Sequence, residues 1–178
     1  MAIKILVEPA IEPVTLAEAK AWLRLDHSTE DELITQLVRT ARTRSEAVTS
    51  RAFITQTVQE TGAKPSKTGV IELAVNPVQS VTGVSEIGPD NSVQILDASA
   101  YIIDLDQGRI LLGRGHSTSV YKIQYIAGYG NAPSDVPAPL KTAILLQTAW
   151  LFERRDENDS AIPFPAQSLL ARYRRVRL

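Results

Sequence analysis

The sequence predicts an α+β fold: a helical frame, built from an N-terminal αα-hairpin and a long C-terminal helix, with an antiparallel β-unit inserted into it. Three observations predict this. Apolar residues recur at helical spacing as far as about Arg51, alternate with polar ones from Phe53 to Ile126, and return as one long apolar run after Pro137. Two capping-box patterns mark helix starts in the first part. Glycine, proline and asparagine turn signals divide the middle into short pieces. The resulting boundaries are 1–52 for the helical hairpin, 53–127 for the β-rich insertion, 136–156 for the long buried helix and 166–178 for a C-terminal basic arm, all within a single domain of 178 residues.

In chain order, Ile3, Ile5 and Val7 alternate with other residues and suggest a short strand or extended arm, which Pro9 and Pro13 stop. Thr15 and Glu18 match a capping box that opens a short helix over about 16–25, with Leu16, Ala19, Trp22 and Leu23 on one side. The Asp26, His27, Ser28 corner ends it. Thr29 and Glu32 form a second capping box, opening a helix over about 30–51 with Leu33, Ile34, Leu37, Val38, Ala41 and Val48 in one stripe. Acidic residues crowd its start and Arg39, Arg42, Arg44 and Arg51 its latter half, which complements the helix dipole.

From Phe53 the period is alternating. Strand candidates are 53–58, 70–75, 81–87, 93–96, 101–105, 109–112 and 120–126, separated by turns at Gly62, Asn76 with Pro77, residues 88–91, Gln107 with Gly108, and residues 113–115. Gly128 and Gly130 turn the chain out of the last strand. Ser134 and Asp135 offer oxygens to the first free N–H groups of the final helix, with Pro137 where a missing N–H costs nothing. That helix carries Leu140, Ala143, Ile144, Leu145, Leu146, Ala149, Trp150, Leu151 and Phe152, which do not fit on one face. It is therefore the centre of the fold or the seam between copies. A polar loop, a proline-broken run through Pro163 and Pro165, and the basic tail from Arg172 to Arg177 follow.

Composition narrows the function. Nineteen basic residues against twenty acidic ones give no overall attraction to nucleic acid or an anionic membrane. The absence of cysteine excludes disulfides, thiol nucleophiles and cysteine-ligated zinc. The apolar run at 3–7 is too short for a signal-peptide core, and no stretch is long enough to span a bilayer, so a soluble protein of a reducing cytoplasm is expected.

No catalytic, metal or cofactor site is expected. Asp104 to Gly108 has the look of a calcium loop but lacks the later carboxylate that closes an EF-hand shell, and reads as an acidic β-turn. Residues 113–117 could suggest a phosphate cradle or a Ser117–His116 pair. A phosphate loop feeds a helix, however, and this one feeds a strand, so a hairpin connection is the reading. His27 reads as a solvated corner residue. Arg39, Arg42 and Arg44 read as a solvated helix face, with phosphate contact as the alternative. The C-terminal arginines read as a partner-docking or disordered tail. What remains is more apolar helix surface than a small domain hides, which suggests packing between subunits.

The chain resembles the head–tail connector (adaptor, or head-completion) proteins of long-tailed bacteriophages and phage-derived gene-transfer particles. The resemblance is carried, in order, by Val14 to Lys20, Leu23 to Asp26, Asp31 to Ile34 leading to Ala41, Arg42 and Glu46, Tyr125 to Gly130, Val136 to Ile144, Phe152 to Arg155, and Leu169 to Arg174. It implies a non-enzymatic structural protein of the virion neck, made in the host cytoplasm. Copies would form a ring, expected to be twelvefold, on the portal after DNA packaging, extend the DNA channel, and seat a second head-completion or tail-terminator protein. DNA would pass without specific binding. Carried onto this chain, Leu33, Leu37, Ala41, Leu140, Ile144, Trp150, Leu151 and Phe152 would pack between neighbours. Leu169, Leu170, Arg172, Tyr173, Arg174, Arg175 and Arg177 would dock the portal. The alternative is a DNA-binding accessory protein using Arg39, Arg42, Arg51 and the C-terminal arginines as a phosphate track. A hydrolase using His116 is a more distant third.

Overall fold

The computed structural model describes residues 1–113, 119–154 and 161–174. The fold is α+β with antiparallel sheets, and the chain divides into two compact units. The first combines Met1–Pro9 with Thr55–Tyr129; the second combines Ala10–Ile54 with the chain from Gly130 onward.

The β unit contains β1 (Ala2–Val7), β2 (Gln56–Ala63), β3 (Val70–Glu72), β4 (Val78–Ile87), β5 (Val93–Ile95), β6 (Tyr101–Asp104), β7 (Arg109–Leu112) and β8 (Val120–Ala127). A five-stranded sheet runs β1-β2-β8-β4-β5 and a three-stranded one β3-β7-β6. The N-terminal segment is thus a strand that pairs with β2, with Ile5 opposite Val58. Alternation decides the core: Val58, Glu60, Tyr121, Ile123 and Tyr125 face inward, and Ile71, Leu73 and Ile110 are buried too. Glu60 is completely buried; its Oε1 accepts the Tyr125 hydroxyl and, at 2.5 Å, the Ala74 N–H. The Val75 N–H donates to the same hydroxyl at 3.0 Å. The β6–β7 turn needs glycine at Gly108, where φ is +60° and a Cβ would fall 1.9 Å from Asn76 Oδ1.

The helical unit contains α1 (Leu16–Leu23), α2 (Asp31–Thr49), α3 (Ala138–Glu153) and α4 (Phe164–Ala171). The first capping box forms as expected: Glu18 N donates to Thr15 Oγ1 at 3.2 Å and Thr15 N to Glu18 Oε2 at 2.7 Å. The second does not. Glu30 is the N-cap of α2 and makes no side-chain cap, while Asp31 N turns back to Ser28 O. Helix α1 stops at Leu23, short of the expected end, because Arg24 enters the left-handed region. The backbone then closes a Schellman motif, Leu25 N to Lys20 O and Arg24 N to Ala21 O. Ser134 and Asp135 do not cap α3 either: they lie in a short 3-10 turn, where Asp135 Oδ2 accepts Ala132 N at 2.9 Å, and Pro137 is the α3 N-cap. Gly130 is required there, since a Cβ would lie 2.2 Å from that carboxylate oxygen. The proline-broken run is a further helix, α4, with proline in its first turn, where no intrahelical N–H bond is lost.

Helix α3 packs against α1, α2 and α4. Its buried line is Leu140, Ala143, Ile144, Gln147 and Thr148, so two of the five most enclosed positions are polar. Gln147 Nε2 donates to Ser45 Oγ of α2 at 2.6 Å and to Ala143 O, and Ser45 Oγ in turn donates to Ala41 O. Thr148 satisfies its hydroxyl on Ile144 O. Phe53 and Ile54, expected to begin a strand, are instead core residues of the helical unit.

Candidate assembly interface

Where an apolar side chain sits relative to its own core decides what it can offer a neighbour. Ala41, Leu140 and Ile144 are completely buried within the chain and therefore fill its own core, with no surface left for a partner. Leu33 and Leu37 on α2, and Trp150, Leu151 and Phe152 near the end of α3, are only half-buried. Leu145 and Leu146 are half-buried as well. Helix α3 thus keeps one side in the core and leaves a second apolar side partly open. The Arg154 guanidinium lies 5.3 Å from the Trp150 ring centroid, a cation–π contact at the exit of that helix.

The C-terminal arm divides the same way. Leu170 is completely buried, together with Ala166, so the inner side of α4 belongs to the core of the unit. Leu169 and Tyr173 are half-buried, and Arg172 and Arg174 are exposed. Arg51 Nε donates to Tyr173 O at 2.7 Å, tying the beginning of the arm to the end of α2. Arg175 and Arg177, and the loop carrying His116, lie outside the described residues.

The arginine face expected on α2 is solvated at Arg39 and in part at Arg44, but not at Arg42. Arg42 is 4% exposed, its Nε 2.7 Å from Glu12 Oε2 and its Nη1 2.6 Å from Glu46 Oε2, while Phe53 N donates to Glu46 Oε1 at 2.8 Å. Burial opposes the Arg42 charge, but the fields of Glu46 and Glu12 outweigh it and hold the guanidinium above its ordinary value. Burial likewise raises Glu46, and Arg42 and the Phe53 N–H counter only part of that rise. The basic residues also miss the helix end, since the last turn of α2 contains none. An arginine so committed cannot reach a phosphate. The signal for this cluster was the i,i+4 pair of Arg42 and Glu46, visible in the sequence; Glu12, thirty residues away, was not.

Elsewhere the chemistry is modest. Asp104 accepts Gln107 N at 3.0 Å and Arg109 Nε at 3.1 Å, which hold its carboxyl below the usual range, and this makes the segment the acidic turn expected. His27 is exposed between α1 and α2. Among the described residues no three His, Asp or Glu side chains are grouped to hold a metal, and no helix is long and apolar enough to cross a membrane.

A family model described as head completion protein matches residues 12–169. No curated protein matches the chain in sequence. Among solved structures it is similar to a chain in the neck of an empty gene transfer agent (GTA) particle with C6 symmetry, at 24% identity and TM-score 0.80 over 100% of this chain and 97% of that one. A chain in the virion of the native particle gives 23% identity and TM-score 0.82 over the same shares. A chain in the native neck with C12 symmetry gives 22% and 0.79, again over 100% and 97%. At these identities the likeness shows the shared fold.

Proposed function

The chain belongs to the head completion protein family, and on that premise we propose that it is a head–tail connector of the virion neck. It assembles as a ring on the portal after packaging and presents a platform for the next head-completion or tail-terminator protein. The helical unit is the frame, and the β segment between Ile54 and Gly130 is the insertion it carries. Twelve copies close the ring, as the C12 symmetry of a similar neck suggests.

The observation that carries this reading is the half-buried apolar surface of α3 away from its buried line, Leu145 and Leu146 at mid-helix with Trp150 and Phe152 flanking its end. A ring needs a heterologous interface, and a second apolar side on a rigid central helix can supply one half of it. The arm from Leu169 onward, with Arg172 and Arg174 exposed, is its portal contact. The near-neutral charge suits a channel that DNA must traverse without being gripped. The DNA-binding alternative loses two of the three arginines of its helix track, because Arg42 is held by Glu12 and Glu46 and Arg51 by Tyr173 O.

The test is a charged substitution on the open side. Leu146→Glu is expected to give a folded protein, by circular dichroism and melting, that no longer assembles on portal in co-sedimentation and electron microscopy. Wild-type assembly by that variant would sink the reading. Removing Arg174 to Leu178, beyond the anchored Tyr173, is expected to leave folding intact and abolish portal binding. Retained binding would remove the arm from the contact.

A further inference from the structure

The helical unit has a surface cavity of about 320 Å³. Its apolar walls are Ile11, Val14, Leu16, Val38 and Pro133, with Val14 and Val38 buried as the floor. Three polar residues also line it, and each is already engaged. The Thr15 hydroxyl bonds Glu18, Thr35 Oγ1 donates to Asp31 O at 2.8 Å, and Glu12 accepts from Arg42. With its polar groups satisfied from within, the cavity favours an apolar guest over a hydrogen-bonding one. Its size suits one aromatic side chain and lies at the low end for a drug-sized ligand.

The same unit displays such a side chain elsewhere. Phe164 opens α4 and is 80% exposed, far above the next large apolar residue among the unit's described residues, Trp22 at 46%. Proline stands on both sides of it, at the N-cap and in the first turn, so the backbone presenting the ring is stiff. A stiffly displayed aromatic loses little freedom on docking, and aromatics seated in pockets are the usual anchors of interfaces.

We propose that Phe164 of one copy seats in the Ile11–Val38 cavity of the adjacent copy, a contact that repeats around the ring. Knob and socket lie on different elements of one chain, so the pairing can run head-to-tail from copy to copy, as a closed ring requires. The inference rests on the ring reading, and adds to it a contact separate from the open side of α3.

The experiment places photoreactive benzoylphenylalanine at position 164 of the full chain, irradiates it with portal present, and maps crosslinks by mass spectrometry. Phe164→Ala and the socket-filling Thr35→Trp are measured beside it for self-association by mass photometry. Crosslinks to peptides around Ile11–Leu16 or Thr35–Val38 of a second copy, with self-association about thirtyfold weaker in Phe164→Ala and weakened in Thr35→Trp at unchanged melting, are the expected result. Multimers whose position 164 crosslinks only to portal or to another surface overturn the contact and leave the ring standing. A chain that stays monomeric under every condition, portal included, overturns both.

Discussion

In the helical unit a deeply placed carboxylate, Glu46, faces a guanidinium; in the β unit the fully buried Glu60 faces a phenol hydroxyl and a backbone N–H. The first arrangement joins Glu12, Arg42, Glu46 and Phe53, and so locates the segment before α1 and the corner after α2 with charge. The second joins β2, β8 and residues 74–75 through neutral donors. The difference is one of failure mode. Removing the cation strands two carboxylates at once, whereas removing Glu60 strands only neutral donors, which cost less to leave unpaired.

The largest expected effect follows from the cation. Arg42→Met keeps most of the packed stem but leaves Glu12 and Glu46 without their partner, and is expected to lose about 3–5 kcal/mol in urea denaturation. The loss should be greater at neutral than at mildly acidic pH. Glu46 already lies above its ordinary value through burial, and without Arg42 it rises further, so stability present below that raised value is lost as pH climbs through it. A loss below 1 kcal/mol with no pH trend would mean that the cluster does not hold the unit together.

In the β unit, Glu60→Leu is expected to cost about 2–3 kcal/mol, because the Ala74 N–H loses its acceptor and Tyr125 loses one partner. Glu60→Gln keeps an oxygen for both donors and should recover most of that loss. Equal loss in both variants would show that shape, and not hydrogen bonding, fixes the site.

These contrasts also explain what the sequence could and could not disclose. Strand and helix periods are local, so β3 to β8 and helices α1 to α3 were legible within a few residues, and the Thr15–Glu18 capping box was legible atom for atom. The inward set on α3 was not. Hydrophobicity alone placed Trp150 and Leu151 with Leu140 and Ile144, and nothing local said that Gln147 and Thr148 take the buried line by bonding Ser45, Ala143 and Ile144. Helix α4 was missed because two prolines read as breakers when they stand at its start. Of the interface candidates, exposure separates Trp150, Leu151 and Phe152 from Ala41, Leu140 and Ile144, and exposure depends on contacts across more than a hundred residues of chain. Glu60 lay beyond the strand expected over 53–58, and only the pairing that sets it opposite Ile123 on β8, within reach of the Tyr125 hydroxyl, makes it a core group.

The smallest expected effect comes from a carboxylate near the surface, and its pH dependence runs opposite to that of Glu46. Glu18 is held below the ordinary glutamate range first by the Thr15 N–H and then by Lys141, whose Nζ lies 2.9 Å from its Oε1. A depressed value adds stability that is complete above the ordinary range and is lost as pH falls through the folded-state value. The Glu18 side chain is 42% exposed, so solvent screening limits the contribution to roughly half a kcal/mol. Glu18→Gln should therefore destabilise slightly at neutral pH and converge on the wild type in acid, whereas the Arg42→Met deficit narrows in acid because Glu46 takes up a proton. Melting curves of both variants across that range separate the two signs. A Glu18→Gln deficit that grew as the solution became more acidic would contradict the hydrogen bonding described for α1.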